Sequence, residues 1–166
     1  NRRGTGEEIR SLFKTLRERI PDLVLRTSLI AGLPGEGKAE FEELCEFLRE
    51  ARIERVGVFP FSPEEGTPAA AMEHVDFEEA QRRADIILEL QAPIMDEFCS
   101  GFVGRTIRVL CDGYDEESGL KTGRSYADSP DIDGQVFFTG SCAEGEMADV
   151  LIECAEDGIL FGGMED

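Results

Sequence analysis

The residues with most chemistry to offer lie in two stretches punctuated by glycine and proline. These are Ser28-Leu29-Ile30-Ala31-Gly32-Leu33-Pro34-Gly35-Glu36 and the loop Ser62 to Thr67, bracketed by Pro63 and Pro68. The first reads as a buried strand that stops at Gly32, turns through Pro34-Gly35 and opens a helix near Glu36. In α/β proteins ligands sit at the carboxyl end of a parallel strand, beside a helix N-terminus. An ordinary βα turn is written with the same residues. The second stretch has a rigid path set by its prolines and Gly66, and serves either as a functional loop on an α/β scaffold or as a stiff linker. Metal chemistry finds no support. The five cysteines, Cys45, Cys99, Cys111, Cys142 and Cys154, are nowhere closer than 12 residues apart, and His74 is the one histidine. That spacing fits no zinc motif and no disulfide framework, and suits reduced thiols packed as small hydrophobes. No residue stands out as a general base, so no catalytic and no metal-binding side chain is nominated.

The elements that must hold these stretches follow from periodicity. Ile9, Leu12, Phe13, Leu16 and Ile20 recur at helical spacing over 7–20, which ends at Pro21. Residues 23–31 read as a strand, apolar on both faces as a covered parallel sheet requires. Phe41, Leu44, Cys45, Leu48 and Ala51 form the inner stripe of a helix over 36–52, with glutamates on its wet face. A second strand spans 55–61. Helix, strand, helix, strand with crossover-length connections is a βα repeat with parallel strands. A long helix follows over 77–99, capped by Asp76 with Glu79 as capping-box partner, and Pro93 should kink or split it near 89–92. After Gly101 the period falls to two. Five short strands with Gly- and Asp-rich turns predict a small antiparallel barrel of the OB type.

The chain of 166 residues carries 17 basic and 36 acidic residues, net −19. Up to Glu97 there are 13 basic and 21 acidic residues. From Phe98 onward there are 4 basic and 15 acidic, net −11. Such a charge repels a phosphate backbone and attracts a basic partner, besides keeping a small protein soluble. No apolar run approaches the ~20 residues of a membrane span, and no secretion signal is visible, so a cytoplasmic setting without membrane is expected. Two strands cannot close a barrel. With Asn1 in place of an initiating Met, the chain reads as a fragment that self-associates through open sheet edges.

Four strings carry a resemblance. Asn1-Arg2-Arg3-Gly4 and the run Leu25 to Glu36 look like the later half of a radical S-adenosylmethionine barrel. Arg55-Val56-Gly57-Val58-Phe59-Pro60-Phe61-Ser62-Pro63-Glu64-Glu65-Gly66-Thr67-Pro68-Ala69 resembles a stretch of the methylthiotransferases in that family, and the C-terminal barrel resembles their TRAM domain. Tyr126-Ala127-Asp128-Ser129-Pro130-Asp131-Ile132-Asp133-Gly134-Gln135-Val136-Phe137 is similar to the branch that methylthiolates the β-carbon of an aspartate on a small-subunit ribosomal protein. The branch that modifies a transfer-RNA adenosine is the alternative enzyme, and a silent partner-binding fragment is the non-enzyme alternative.

The resemblance implies an α/β fold: the last βα units of a partial TIM-like radical barrel over 1–98, then an all-β OB-like TRAM barrel over 99–166. It implies S-adenosylmethionine as cofactor, with Ile30 on the adenine, Gly32, Pro34, Gly35 and Glu36 shaping the adjacent turn, and Phe59 closing the top. Two four-iron clusters belong to the intact enzyme with ligands outside this chain, so the fragment alone should be inactive. Asp128, Asp131 and Asp133 become candidates for meeting the basic ribosomal protein, with turn formation the rival role for Asp133.

Overall fold

The computed structural model describes residues 4–130 and 132–165. They divide into two compact units, Asn1–Ile94 and Met95–Asp166.

The first unit opens with helix α1 (Gly6–Arg19). Thr5 Oγ1 accepts the Glu8 amide at 3.2 Å, and the Glu8 carboxylate accepts the Thr5 amide at 2.7 Å, so a reciprocal capping box satisfies two end groups. Strand β1 (Arg26–Ala31) pairs in parallel with β2 (Arg55–Pro60), and α2 (Lys38–Ala51) lies between them in sequence. The strand predicted over 23–31 is shorter at its start because Leu25 turns its amide to the Glu54 carboxylate, 2.8 Å away. Glu54 also accepts from Arg17 at 2.9 Å. One carboxylate thus ties the exit of α1 to the entry of β1. The core beneath the sheet comprises Leu25, Ala31, Leu48, Ile53, Ala84 and Ile87, with Leu29, Val56 and Val58 packed against it from the strands.

Helix α3 (Phe77–Ser100) is continuous through Pro93, so the expected split does not occur. The buried side chains of Ala80, Ala84, Ile87 and Gln91 anchor it before the proline, and Ile94 and Cys99 after it. That packing outweighs the ~3 kcal/mol an interior proline costs. Asp76 caps it as expected, accepting the Glu79 amide at 2.8 Å. Glu79 is not a capping-box partner: its carboxylate takes the guanidinium groups of Arg82 and Arg83.

The second unit is a closed five-stranded barrel in the order β3-β4-β5-β7-β6: β3 (Thr106–Asp115), β4 (Leu120–Arg124), β5 (Val136–Thr139), β6 (Met147–Glu156) and β7 (Ile159–Met164). Only β5 and β7 pair in parallel; the other pairs are antiparallel. This is the OB connectivity, a five-stranded Greek-key barrel whose closure leaves no long open edge. Alternation along the strands puts Ile107, Val109, Cys111, Val136, Phe138, Val150, Ile152 and Leu160 inside. Glycine is required where strands approach most closely. A Cβ on Gly123 would strike the Leu110 carbonyl oxygen, and one on Gly162 that of Leu151. The thiols of Cys111 and Cys142 are buried in the barrel. Burial pushes the Cys142 thiol up, and the neighbouring Cys111 adds to this.

Candidate cofactor-binding site

The register of the parallel pair decides where the two sequence stretches meet. Ala31 lies opposite Pro60, and the Ala31 carbonyl accepts the Phe61 amide at 2.8 Å. The turn at Gly32 and the loop after Phe61 therefore leave the sheet at the same, carboxyl end. The same register sets Ile30 beside Phe59 and Ser28 beside Gly57. Leu29, Ala31 and Val58 face the core, so alternation turns Ile30 and Phe59 to the other face. There they stand 48% and 59% exposed. Leu33, in the turn above, is 41% exposed. Ile30 and Phe59, register partners on that face, and Leu33 in the turn leave apolar surface open at the carboxyl end of the parallel strands.

The turn is held from behind. The Glu36 amide donates to the Leu33 carbonyl at 2.9 Å, closing a four-residue turn with Pro34 second and Gly35 third at φ 86°, the residues a type II turn demands. Gly32 has φ 81°, and a Cβ there would come within 2.7 Å of the Ala80 side chain and 2.9 Å of Val75. Only glycine fits for conformation and space together. The Glu36 carboxylate turns back over the loop. It accepts the Gly32 amide at 2.9 Å and Arg83 Nη1 at 2.8 Å. Arg83 also reaches the Glu36 carbonyl at 2.8 Å and, through Nε, Glu79 at 2.8 Å. Hydrogen bonds from Arg82 and Arg83 hold the Glu79 carboxyl at about 2. Glu36 is thus a brace that fixes the turn.

The second loop is ordered by its own residues. Thr67 Oγ1 donates to the Glu64 carbonyl at 2.8 Å and accepts the Ala70 amide at 3.3 Å, capping the short 3-10 turn Pro68–Ala71. At its base the rings of Phe61 and His74 meet edge to face, centroids 5.2 Å apart. His74 Nδ1 lies 2.7 Å from the Val75 carbonyl, an acceptor, so that nitrogen carries the proton.

Of the sequence candidates, Ile30, Gly32, Pro34, Gly35, Glu36 and Phe59 all gather at this sheet end. The barrel candidates lie in its β4–β5 connection. Asp128 accepts from the Ser125 amide at 2.9 Å and its hydroxyl at 2.6 Å. Asp133 accepts the Ser129 amide at 2.6 Å. Both carboxylates build turns. Asp131 lies outside the described residues. Sequence reasoning missed Arg83, 47 positions from Glu36 in the turn it braces, and its partner Glu79. An arginine one helical turn after a glutamate (i, i+4) reads only as a surface pair.

Comparison with known proteins finds methylthiotransferases over nearly the whole chain and a TRAM domain in its barrel. Residues 103–164 match the TRAM domain model. "Ribosomal protein uS12 methylthiotransferase RimO" of Bdellovibrio bacteriovorus is 43% identical over 155 residues, 92% of this chain and 34% of that protein. Those of Roseiflexus sp. and Lachnoclostridium phytofermentans are 42% and 40% identical over 96% and 99% of this chain. The chain spans about a third of the length of these relatives, 34–38% of each. No helix among the described residues is long and apolar enough to cross a membrane.

Proposed function

We propose that this chain is the C-terminal portion of a radical S-adenosylmethionine enzyme that methylthiolates an aspartate β-carbon of ribosomal protein uS12. The observation that carries the reading is the shared end of β1 and β2, where Ile30, Phe59 and Leu33 present an apolar platform beside the braced Gly32 turn. The residues fit the adenosyl part of the cofactor. A planar base needs an apolar floor, and the exposed side chains of Ile30 and Phe59 supply one beside the Gly32 turn. Bound there, the cofactor supplies hydrogen abstraction from the target carbon. What this chain's residues do is narrower. Ile30 and Phe59 exclude water from one face of the base, while the Glu36–Arg83 brace keeps the turn from yielding.

The clusters do not fit this chain. No group of three or more His, Cys, Asp or Glu that could hold a metal occurs among the described residues, so no step is assigned to them here. Their ligands belong to the longer protein, and the 166-residue chain by itself is inactive. The barrel, at 4 basic against 15 acidic residues from Phe98 onward, suits a basic ribosomal protein and disfavours transfer RNA. The setting is cytoplasmic, where that substrate is made.

Isolated, the chain self-associates. Among the described residues β1 pairs only with β2, and a groove of about 610 Å³ lined by Ile9, Leu12, Phe13, Ser28 and Leu29 lies beside it. Light scattering at the monomer mass would refute this.

The functional test uses the longer protein that contains this chain. It should bind S-adenosylmethionine at equilibrium, and uS12 should gain a methylthio group by mass spectrometry. Ile30→Ala and Phe59→Ala should each weaken cofactor binding about tenfold, the value of one apolar side chain's burial. Unchanged affinity in both variants would remove the assignment.

A further inference from the structure

The outer wall of the barrel carries a feature that its fold does not need. Phe137 and Phe161 are register partners on β5 and β7, and their neighbours Val136, Phe138 and Leu160 are buried. Alternation therefore turns both rings outward, where they are half-buried. They stack with centroids 5.6 Å apart and planes 20° apart. Across the sheet the row runs Thr122, Phe137, Phe161, Cys154. Beside Phe161 the register of β6 slips: Ile152 faces Gly162 but Cys154 faces Phe161. The extra residue is Glu153. A bulge of this kind re-aims side chains, and here Glu153 and Cys154 are both exposed. The bulge thus leaves Glu153 exposed on β6, next in sequence to the position paired with Phe161.

The barrel's own cations are spent elsewhere. Arg124 is on Asp112 at 2.6 Å, Arg108 is 4.0 Å from Asp149, Lys121 lies over Tyr114 and Arg105 over Phe102. Glu153 has no hydrogen-bond or ion-pair partner among them. Aromatic faces next to an unneutralised carboxylate make a site for a guanidinium or ammonium group, through the ring quadrupole and the charge together.

We propose that the outer face of β4, β5, β7 and β6, centred on Phe137, Phe161 and Glu153, docks a basic polypeptide segment by taking an arginine or lysine side chain. The net charge of −11 from Phe98 onward supplies the complementary field that brings such a segment in. This deepens the proposed function, on which it rests for taking the partner to be a basic protein.

The test uses the 166-residue chain and three fluorescein-labelled probes: an arginine–glycine repeat peptide, its lysine–glycine counterpart and single-stranded oligouridylate. Anisotropy should show the arginine peptide binding, the lysine peptide binding more weakly, and both weakening with salt. Amide shifts should concentrate at Thr122, Phe137, Glu153, Cys154 and Phe161. Glu153→Gln and Phe161→Leu should each weaken the arginine peptide about 2–5-fold, as a half-exposed cation–π contact or ion pair does, with unperturbed barrel spectra showing that the fold is kept. The proposal is overturned if neither peptide binds, if the shifts map elsewhere, if both variants bind like the parent, or if oligouridylate binds more tightly than the peptides. Failure of the longer protein to modify uS12 would leave a positive peptide result standing. Modification of uS12 with a negative peptide result would remove this face alone.

Discussion

Replacing Arg83 by Met should unfasten the Gly32 turn. The Arg83 side chain is 7% exposed and Glu36 11%, so their 2.8 Å ion pair is screened little by water. Removing the guanidinium leaves the Glu36 carboxylate buried with the Gly32 amide, and breaking such a pair costs about 3–5 kcal/mol. The contact to Glu79, 29% exposed, adds little beyond that. Taking about 3 kcal/mol, the midpoint of the first unit should fall by roughly 12–24 °C, at the 4–8 °C per kcal/mol typical of this size. The two units can be read separately. There is no Trp, and the two Tyr, Tyr114 and Tyr126, both lie after Met95. Tyrosine fluorescence therefore follows the barrel, while the helix band of far-UV circular dichroism is weighted to the first unit. Arg83→Met should lower the dichroism transition and leave the tyrosine transition in place. In a cycle with Glu36→Gln the double variant should lose about 1.5–3 kcal/mol less than the sum of the singles. Singles costing under about 0.5 kcal/mol, or strict additivity, would refute the brace.

Gly32→Ala should destabilise the first unit more than Gly35→Ala. Both take positive φ, but only Gly32 lacks room for a Cβ, so Gly35→Ala should cost about 1 kcal/mol and Gly32→Ala clearly more, by urea unfolding. Glu79 is held at about 2 against an ordinary 4.5 by hydrogen bonds from Arg82 and Arg83. Its contribution is therefore present above pH 4.5 and lost as pH falls towards 2, and Glu79→Gln should flatten the acid limb of the stability curve. Phe138→Ala empties the centre of the barrel, where Phe138 is 0% exposed. It should cost about 3–5 kcal/mol and appear in the tyrosine transition first.

Much of this protein was determined by local pattern. The 3.6-residue stripe of α1 and α2, the two-residue alternation after Gly101 and the Pro-Gly turn are short-range signals, each readable because a helix or strand buries one face of its own sequence. The resemblance of 25–36, 55–69 and 126–137 placed the family for the same reason, being written in contiguous residues. Tertiary structure decided what depends on distant parts of the chain. It set Ile30 beside Phe59 through parallel register and closed the barrel through the β5–β7 pairing. It carried α3 intact through Pro93 because packing on both sides exceeded the helix-breaking cost. It also brought to Glu36, expected from the resemblance to shape the turn, a partner in Arg83 that lies 47 positions away, beyond the reach of any local spacing rule. A carboxylate's role is set by the charge that folding brings to it, and that charge is visible only in space.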